Sequence, residues 1–365
     1  MTLPPGSVEG QAIDAAEVPV APQREVPAWS TRPPGAYGFD RERLGSAFRS
    51  AASLPNLTSL VVARHGRVVG EAYWDGMSAE RTVNVKSVSK SVLSALVGIA
   101  LREGHIESLD EPVATYLPEY FDAATDPRKR GITLRNLLTM RSGLETTSFG
   151  NYGAWVASRD WVGSALARPV VDEPGGRMIY STGSAHVLSA VLTRATGMST
   201  LEFARRHLFQ PLGVRSGGWQ RDPRGIYFGG NNMRLSPRAL FRFGQLYLDG
   251  GHRGGHWFFP PGWVEESWTS RVGSRWNDYG YGYFWWSRTM SGHRVNFAWG
   301  FGGQYVFVVP DLELVVVATS DLDRPGGRDH RSAIHRLVAE RVIPAAEARP
   351  WGPLERQPGG QRGIR

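Results

Sequence analysis

The chain has no cysteine, which removes disulfides, thiolate metal sites and a cysteine nucleophile from consideration. It is almost as poor in lysine. Only Lys86, Lys90 and Lys129 occur among 42 basic residues, which leaves 39 arginines. No apolar run is long enough to cross a bilayer, the longest being residues 92–101. The N-terminal residues show no basic stretch leading into an apolar one, so no ordinary secretory signal is read and a soluble, cytoplasmic protein without a membrane partner is expected. There is no Gly-x-Ser-x-Gly, the strained elbow that presents serine in α/β-hydrolases. The net charge of +8 (42 minus 34) is dispersed. Its densest cluster, Arg128-Lys129-Arg130, lacks the interleaved aromatics of a nucleic-acid surface and reads as solvated loop. His252 and His256 lie four apart in Gly-rich sequence without a nearby carboxylate, so no metal site is expected.

What is present suffices for a large core. With 365 residues, 41% hydrophobic and 11% aromatic, one large domain or two intimately joined ones are expected. Residues 1–35, rich in Pro, Ala and Gly, read as an extended lead-in, and 349–365 as a loose tail. Residues 36–348 form the body. A helix is predicted over 39–52, followed by strands at 59–63 and 67–73 joined by the turn His65-Gly66. Residues from about 105 to 250 read as mostly helical, with Thr133 as an N-cap and further helices at 184–196, 199–208 and 237–249. Phe149 to Trp161 reads as a Trp- and Tyr-bearing loop. Strands return at 279–286, 294–299, 304–309 and 312–319, ahead of a last helix at 329–342. The fold class is therefore α+β: one antiparallel sheet assembled from both ends of the chain (about 55–75 and 279–342), flanked by helices, with an inserted helical subdomain.

The stretch that organises this plan is Ser87-Val88-Ser89-Lys90, opening an apolar helix through Leu101. A helix apolar on nearly every face must be buried. Ser87 and Lys90, three apart, share one face at its first turn, beside the positive end of the helix dipole. Such surroundings activate a hydroxyl nucleophile. Ser-x-x-Lys alone arises by chance about once in a chain of this length. Lysine carries the information here, because a desolvated lysine can release its proton and act as a base where arginine cannot.

Two further stretches follow in order: Tyr180-Ser181-Thr182 ahead of a helix, and Trp299-Gly300-Phe301-Gly302-Gly303-Gln304 leading into a hydrophobic strand. With these, the chain from about residue 40 to 345 resembles the serine hydrolases of the beta-lactamase and penicillin-binding-protein superfamily. It is most similar to the branch of class C beta-lactamases, family VIII carboxylesterases and 6-aminohexanoate-dimer hydrolases. The resemblance implies a beta-lactamase/transpeptidase-like fold with Ser87 as nucleophile, Lys90 as its base partner and Tyr180 as a second proton handler. It also implies an oxyanion hole from the N–H groups of Ser87 and Phe301. Whether Lys90 or Tyr180 is the general base stays open at this point.

Trp299, Gly302, Thr182 and Asn232 are candidate substrate contacts, and Tyr152 and Trp155 a candidate lid. No cofactor is called for, and a homodimer is the one oligomer considered. The expected activity is hydrolysis of small esters or linear amides through an acyl-enzyme, with a D-amino-acid peptidase, a weak beta-lactamase and a non-catalytic penicillin-binding sensor as rivals. Where beta-lactamases carry Lys-Thr-Gly this chain has Gly300-Phe301-Gly302, and Thr182 replaces their Asn. Poor beta-lactam turnover is expected for want of a cation in that stretch.

Overall fold

The computed structural model describes residues 28–29, 34–324 and 327–347. Its frame begins with a hairpin. His65 and Gly66 take φ of 50° and 72°, the double positive-φ turn whose twist matches that of the strands it joins. Those strands, Leu57–Arg64 and Arg67–Tyr73, pair through Arg64 and Arg67 at the turn. Leu57–Arg64 then pairs antiparallel with Leu314–Ser320, so the two halves of the chain close into one sheet. The sheet continues antiparallel through Gln304–Val309, His293–Gly300, Trp286–Met290 and Gly280–Tyr281 to Val272–Gly273. At the opposite edge Ala28–Trp29 pairs with Gly70 and Glu71, so this piece of the N-terminal lead-in is an added strand. Residues 1–27 and the tail expected at 349–365 lie outside the described residues.

The inner strands are buried on both faces, which is why they read as continuous apolar runs without alternation. One face meets the helix Pro237–Leu248 at Gly244, where a Cβ would lie 2.6 Å from Val306 Cγ1 and 2.9 Å from Val315 Cγ1. On the other face Tyr305 and Phe307 pack edge-on against His335 of the helix Gly327–Leu337. The central helix Val88–Arg102 is buried from Val88 to Ala100 and contacts both the strand His293–Gly300 and the helix Thr182–Thr196. Thr133 caps the helix Leu134–Leu138 in a reciprocal box with Asn136, satisfying two backbone donors at once.

Two expected elements differ. The stretch 279–286 is not one strand but two, Gly280–Tyr281 and Trp286–Met290, folded against each other. The aromatics between them form a buried turn, with Phe284 at φ 58°. Its N–H donates to Leu138 O (3.0 Å), and its carbonyl accepts from Ser91 Oγ (2.6 Å), which ties the turn to the central helix. The expected loop 149–161 is largely helical, with a single turn at Phe149–Asn151, then Tyr152–Val156, and Trp161–Leu166 beginning at its end.

The close approach at Gly244 makes a prediction. Gly244→Val should lower unfolding free energy by about 2 kcal/mol or more, because overpacking against two valines outweighs the small propensity gain in the helix. Urea melts would show this, and unchanged stability would contradict the packing.

Candidate active site

Ser87 is delivered by a strained turn. The strand Val83–Asn84 ends, and Lys86 enters the left-handed region at φ 51°, a costly conformation for a residue with a side chain. Its N–H donates to Asn84 Oδ1 (3.0 Å), and Asn84 Nδ2 donates to Asn232 Oδ1 (2.9 Å), so neighbouring side chains brace the turn. Ser87 caps the helix by position, yet its hydroxyl makes no capping bond and is left for other partners. The end of the sheet abuts this turn. At Gly300 a Cβ would lie 2.2 Å from Val85 O, so only glycine permits the contact.

Lys90 lies buried beside Ser87. It is 1% exposed, and no carboxylate pairs with it among the described residues. Nζ lies 3.0 Å from Ser87 Oγ, 3.4 Å from Thr182 Oγ1 and 2.6 Å from Gly230 O. With neutral partners only, loss of water lowers its pKa to about 7. Its ammonium also sits 5.1 Å from the centroid of the Tyr180 ring. Burial pushes the Tyr180 hydroxyl up to about 12, and a hydrogen bond with Ser87 offsets only part of that. Trp286 stacks on Tyr180 at 6.1 Å, and Tyr281 meets it edge-on at 6.4 Å.

The helix Thr182–Thr196 carries Tyr180 and Thr182 at its start, and three hydroxyl residues from another segment hold that end. Thr147 Oγ1 accepts from Gly183 N–H (2.7 Å), and Ser148 Oγ from Thr182 N–H (2.9 Å). Thr146 Oγ1 donates to Tyr180 O (2.7 Å). Helix-end donors without a local cap are thus satisfied in trans.

Ser87 and Tyr180 open into a cleft of about 890 Å³, walled by Phe149, Trp286, Trp299 and Phe301 on the side toward the motifs. The backbone N–H groups of Ser87 and Phe301 have no protein acceptor among the described residues.

A family description, Beta-lactamase, matches residues 49–340. The chain belongs to the beta-lactamase family. It is 25% identical over 295 residues to 6-aminohexanoate-dimer hydrolase from Paenarthrobacter ureafaciens, covering 74% of each chain. It is 28% identical to esterase EstB of Burkholderia gladioli over 51% of this chain and 54% of that one. Among solved structures, a D-stereospecific amidohydrolase from Streptomyces sp. superposes with a TM-score of 0.64 at 19% identity, covering 82% of this chain and 99% of that one.

Within this beta-lactamase-family fold, the predicted residues fall into two groups. Ser87, Lys90, Tyr180, Trp299 and Phe301 come together, Lys90 beneath the floor and the others on the cleft. Phe301 is 76% exposed at the rim. Gly302, at φ 82°, shapes the turn behind Phe301 and does not line the cleft.

The others do not line this cleft. Trp155 is no lid. It is buried against Trp161, His186 and Phe228, with its Nε1 donating to Trp161 O (2.9 Å). Tyr152 accepts a hydrogen bond from Asn231 Nδ2 (3.0 Å), next in sequence to the Gly230 that meets Lys90, and is not among the residues lining the cleft. Asn232 is taken up by Asn84 and Gln220, bracing the serine turn. Thr182 is buried and touches Lys90 and Ser148.

Missed were Phe149 and Trp276, both exposed and 5.5 Å apart at the mouth, and a wall of arginines from the helix Gly327–Leu337. The hydroxyl run Thr146-Thr147-Ser148 and the arginines at intervals of three and five in 328–336 were the signals available.

Burial of Lys90 also carries a stability consequence. Its folded pKa lies below the unfolded value of 10.5, so the folded state is penalised as pH falls from about 10.5 towards 7 and fully penalised below that. Lys90→Met, similar in volume and uncharged, should raise stability by about 3 to 5 kcal/mol at pH 6, with the gain shrinking towards pH 10. Melts of both proteins across that range test it; a gain that grows with pH would contradict a desolvated lysine.

Proposed function

We propose that this protein is a serine hydrolase that cleaves ester or linear amide bonds through an acyl-enzyme on Ser87. The observation that carries the reading is Lys90, buried without a counter-charge 3.0 Å from Ser87 Oγ. A neutral amine donates two hydrogens and accepts one. With Gly230 O and Thr182 Oγ1 taking the donors, the lone pair is left for the Ser87 hydroxyl. Lys90 near 7 and Tyr180 near 12 favour the lysine as base, with Tyr180 kept protonated.

In this mechanism the Ser87 O–H donates to Lys90 Nζ and passes its proton there as Oγ attacks the substrate carbonyl carbon. The N–H groups of Ser87 and Phe301 receive the developing oxyanion. Tyr180 gives its proton to the leaving oxygen or nitrogen and is reprotonated from Lys90. Water then attacks the acyl-enzyme, loses a proton to the same pair, and Ser87 departs as alcohol. The products are one acid and one alcohol or amine. Of the rivals, a D-amino-acid peptidase is not favoured by the Streptomyces amidohydrolase, whose 19% identity bears on the fold alone. The expectation of poor beta-lactam turnover loses its main ground, because arginines from outside the third motif do line the cleft.

Ser87→Ala should abolish both p-nitrophenyl butyrate hydrolysis and labelling by a fluorophosphonate while leaving the melting curve intact. More than a few per cent residual activity would falsify the nucleophile assignment. For the unmodified enzyme, kcat/KM should rise with pH through about 7, as Lys90 loses its proton, and then stay level to pH 9. A limb near 10 would instead make the ammonium the working form. Steady turnover, against a single burst of one equivalent, separates a hydrolase from an acylated sensor.

A further inference from the structure

One face of the helix Gly327–Leu337 looks into the cleft and carries Arg328, Arg331 and Arg336, while Arg288 joins them from the strand Trp286–Met290. Among the described residues none of these four makes an ion pair, although Arg135 and Arg238 elsewhere are matched to Asp110 and Glu71. The cleft wall holds one carboxylate, Glu340. Four like charges around one concavity repel each other and focus positive potential into it.

Two of the four are pre-set for recognition. The Arg331 guanidinium lies 5.2 Å from the Trp299 ring centroid, and that of Arg288 lies 4.9 Å from Tyr279, whose hydroxyl accepts from Arg288 Nη1 (3.1 Å). Arg288 Nε is buried with no acceptor. Each ring covers one side of its guanidinium and leaves N–H groups for a planar or tetrahedral oxyanion. His335 lies among them with both ring nitrogens unpartnered. Burial first, then the charges of Arg288 and Arg331, hold its pKa down to about 3, so it adds no charge. At the mouth, Phe149 and Trp276 are 66% and 58% exposed, an apolar surface no folded segment covers among the described residues.

We propose that the cleft binds amphiphilic esters or amides whose non-reacting end carries two or more negative charges, a phosphate or a pair of carboxylates, held by Arg288 and Arg331 with the apolar part on Phe149 and Trp276. This rests on the serine-hydrolase reading of the same cleft. Hydrolysis adds one water across the acyl bond and leaves the anion untouched.

The test compares neutral phenyl butyrate with 4-(butyryloxy)phenyl phosphate and 5-(butyryloxy)isophthalate, and 4-nitrophenyl pentanoate with 4-nitrophenyl 5-phosphonopentanoate. These place the anion on the leaving group or on the acyl group. At least one anionic ester should exceed its neutral congener in kcat/KM by roughly 10-fold or more, the scale of a charged hydrogen bond. The advantage should collapse in Arg288→Gln/Arg331→Gln and fade in high salt. No advantage for any anionic ester, or one that survives the double substitution, overturns the proposal.

A second measurement keeps the two readings apart. Calorimetric titration of Ser87→Ala with 4-hydroxyphenyl phosphate and with isophthalate should show binding that weakens at least roughly 10-fold when both arginines are replaced. Binding without hydrolysis of any ester leaves the anion site standing and sinks the hydrolase reading. Neutral-ester hydrolysis without anion binding does the reverse.

Discussion

Everything at this site depends on withholding water from one ammonium group. Lys90 is sealed under the cleft floor with a hydroxyl, a carbonyl and a second hydroxyl as its contacts, and no carboxylate among the described residues. A buried carboxylate would have stabilised the charged form and raised its pKa, giving an ion pair in place of an amine that can lose its proton near neutrality. The chain instead tolerates an unpaired basic group that disfavours folding at neutral pH. Such a cost is sustained only by an extensive core, and the surrounding helix is buried over its whole length from Val88 to Ala100.

The rest of the architecture holds three distant segments in register around that amine. The left-handed turn at Lys86 aims Ser87, and its brace runs through Asn84 to Asn232 on a different strand connection. Gly300 lets the sheet touch this turn, and Phe301, next along the strand end, shares the cleft with Ser87. Behind the same turn, Ser320 Oγ donates to Gly303 O (3.0 Å), so the hairpin tip is anchored from the neighbouring strand. Thr146, Thr147 and Ser148 fasten the start of the helix that bears Tyr180. Each segment is fixed by hydrogen bonds or close packing from another, so Ser87, Lys90 and Tyr180 are held in place before any ligand arrives.

The parts legible in the sequence were those whose signal is local. The hairpin at His65-Gly66, the apolar helix after Ser87 and the buried inner strands each declare themselves by turn chemistry or by an unbroken apolar run. Ser87, Lys90 and Tyr180 were legible because short motifs recur in order. Tyr152, Trp155, Thr182 and Asn232 do not line the cleft, because polarity or aromaticity near a motif does not say which way a side chain points. Trp155 fills the core beneath the site, and Thr182 faces inward to Lys90. The arginine wall escaped because a basic helix face looks the same in sequence whether it meets solvent or a cleft. In the aromatic stretch 279–286 a buried turn imitates a strand, since both consist of apolar residues.

The scarcity of lysine makes the central claim directly measurable. Labelling lysine side chains with 15N yields signals from only Lys86, Lys90 and Lys129, and Lys90→Met assigns the one of interest. The account predicts that the Lys90 amine titrates near 7 in the resting enzyme. A Lys90 signal that stays protonated to pH 9 or above would contradict it, because the amine could not then take the Ser87 proton at neutral pH.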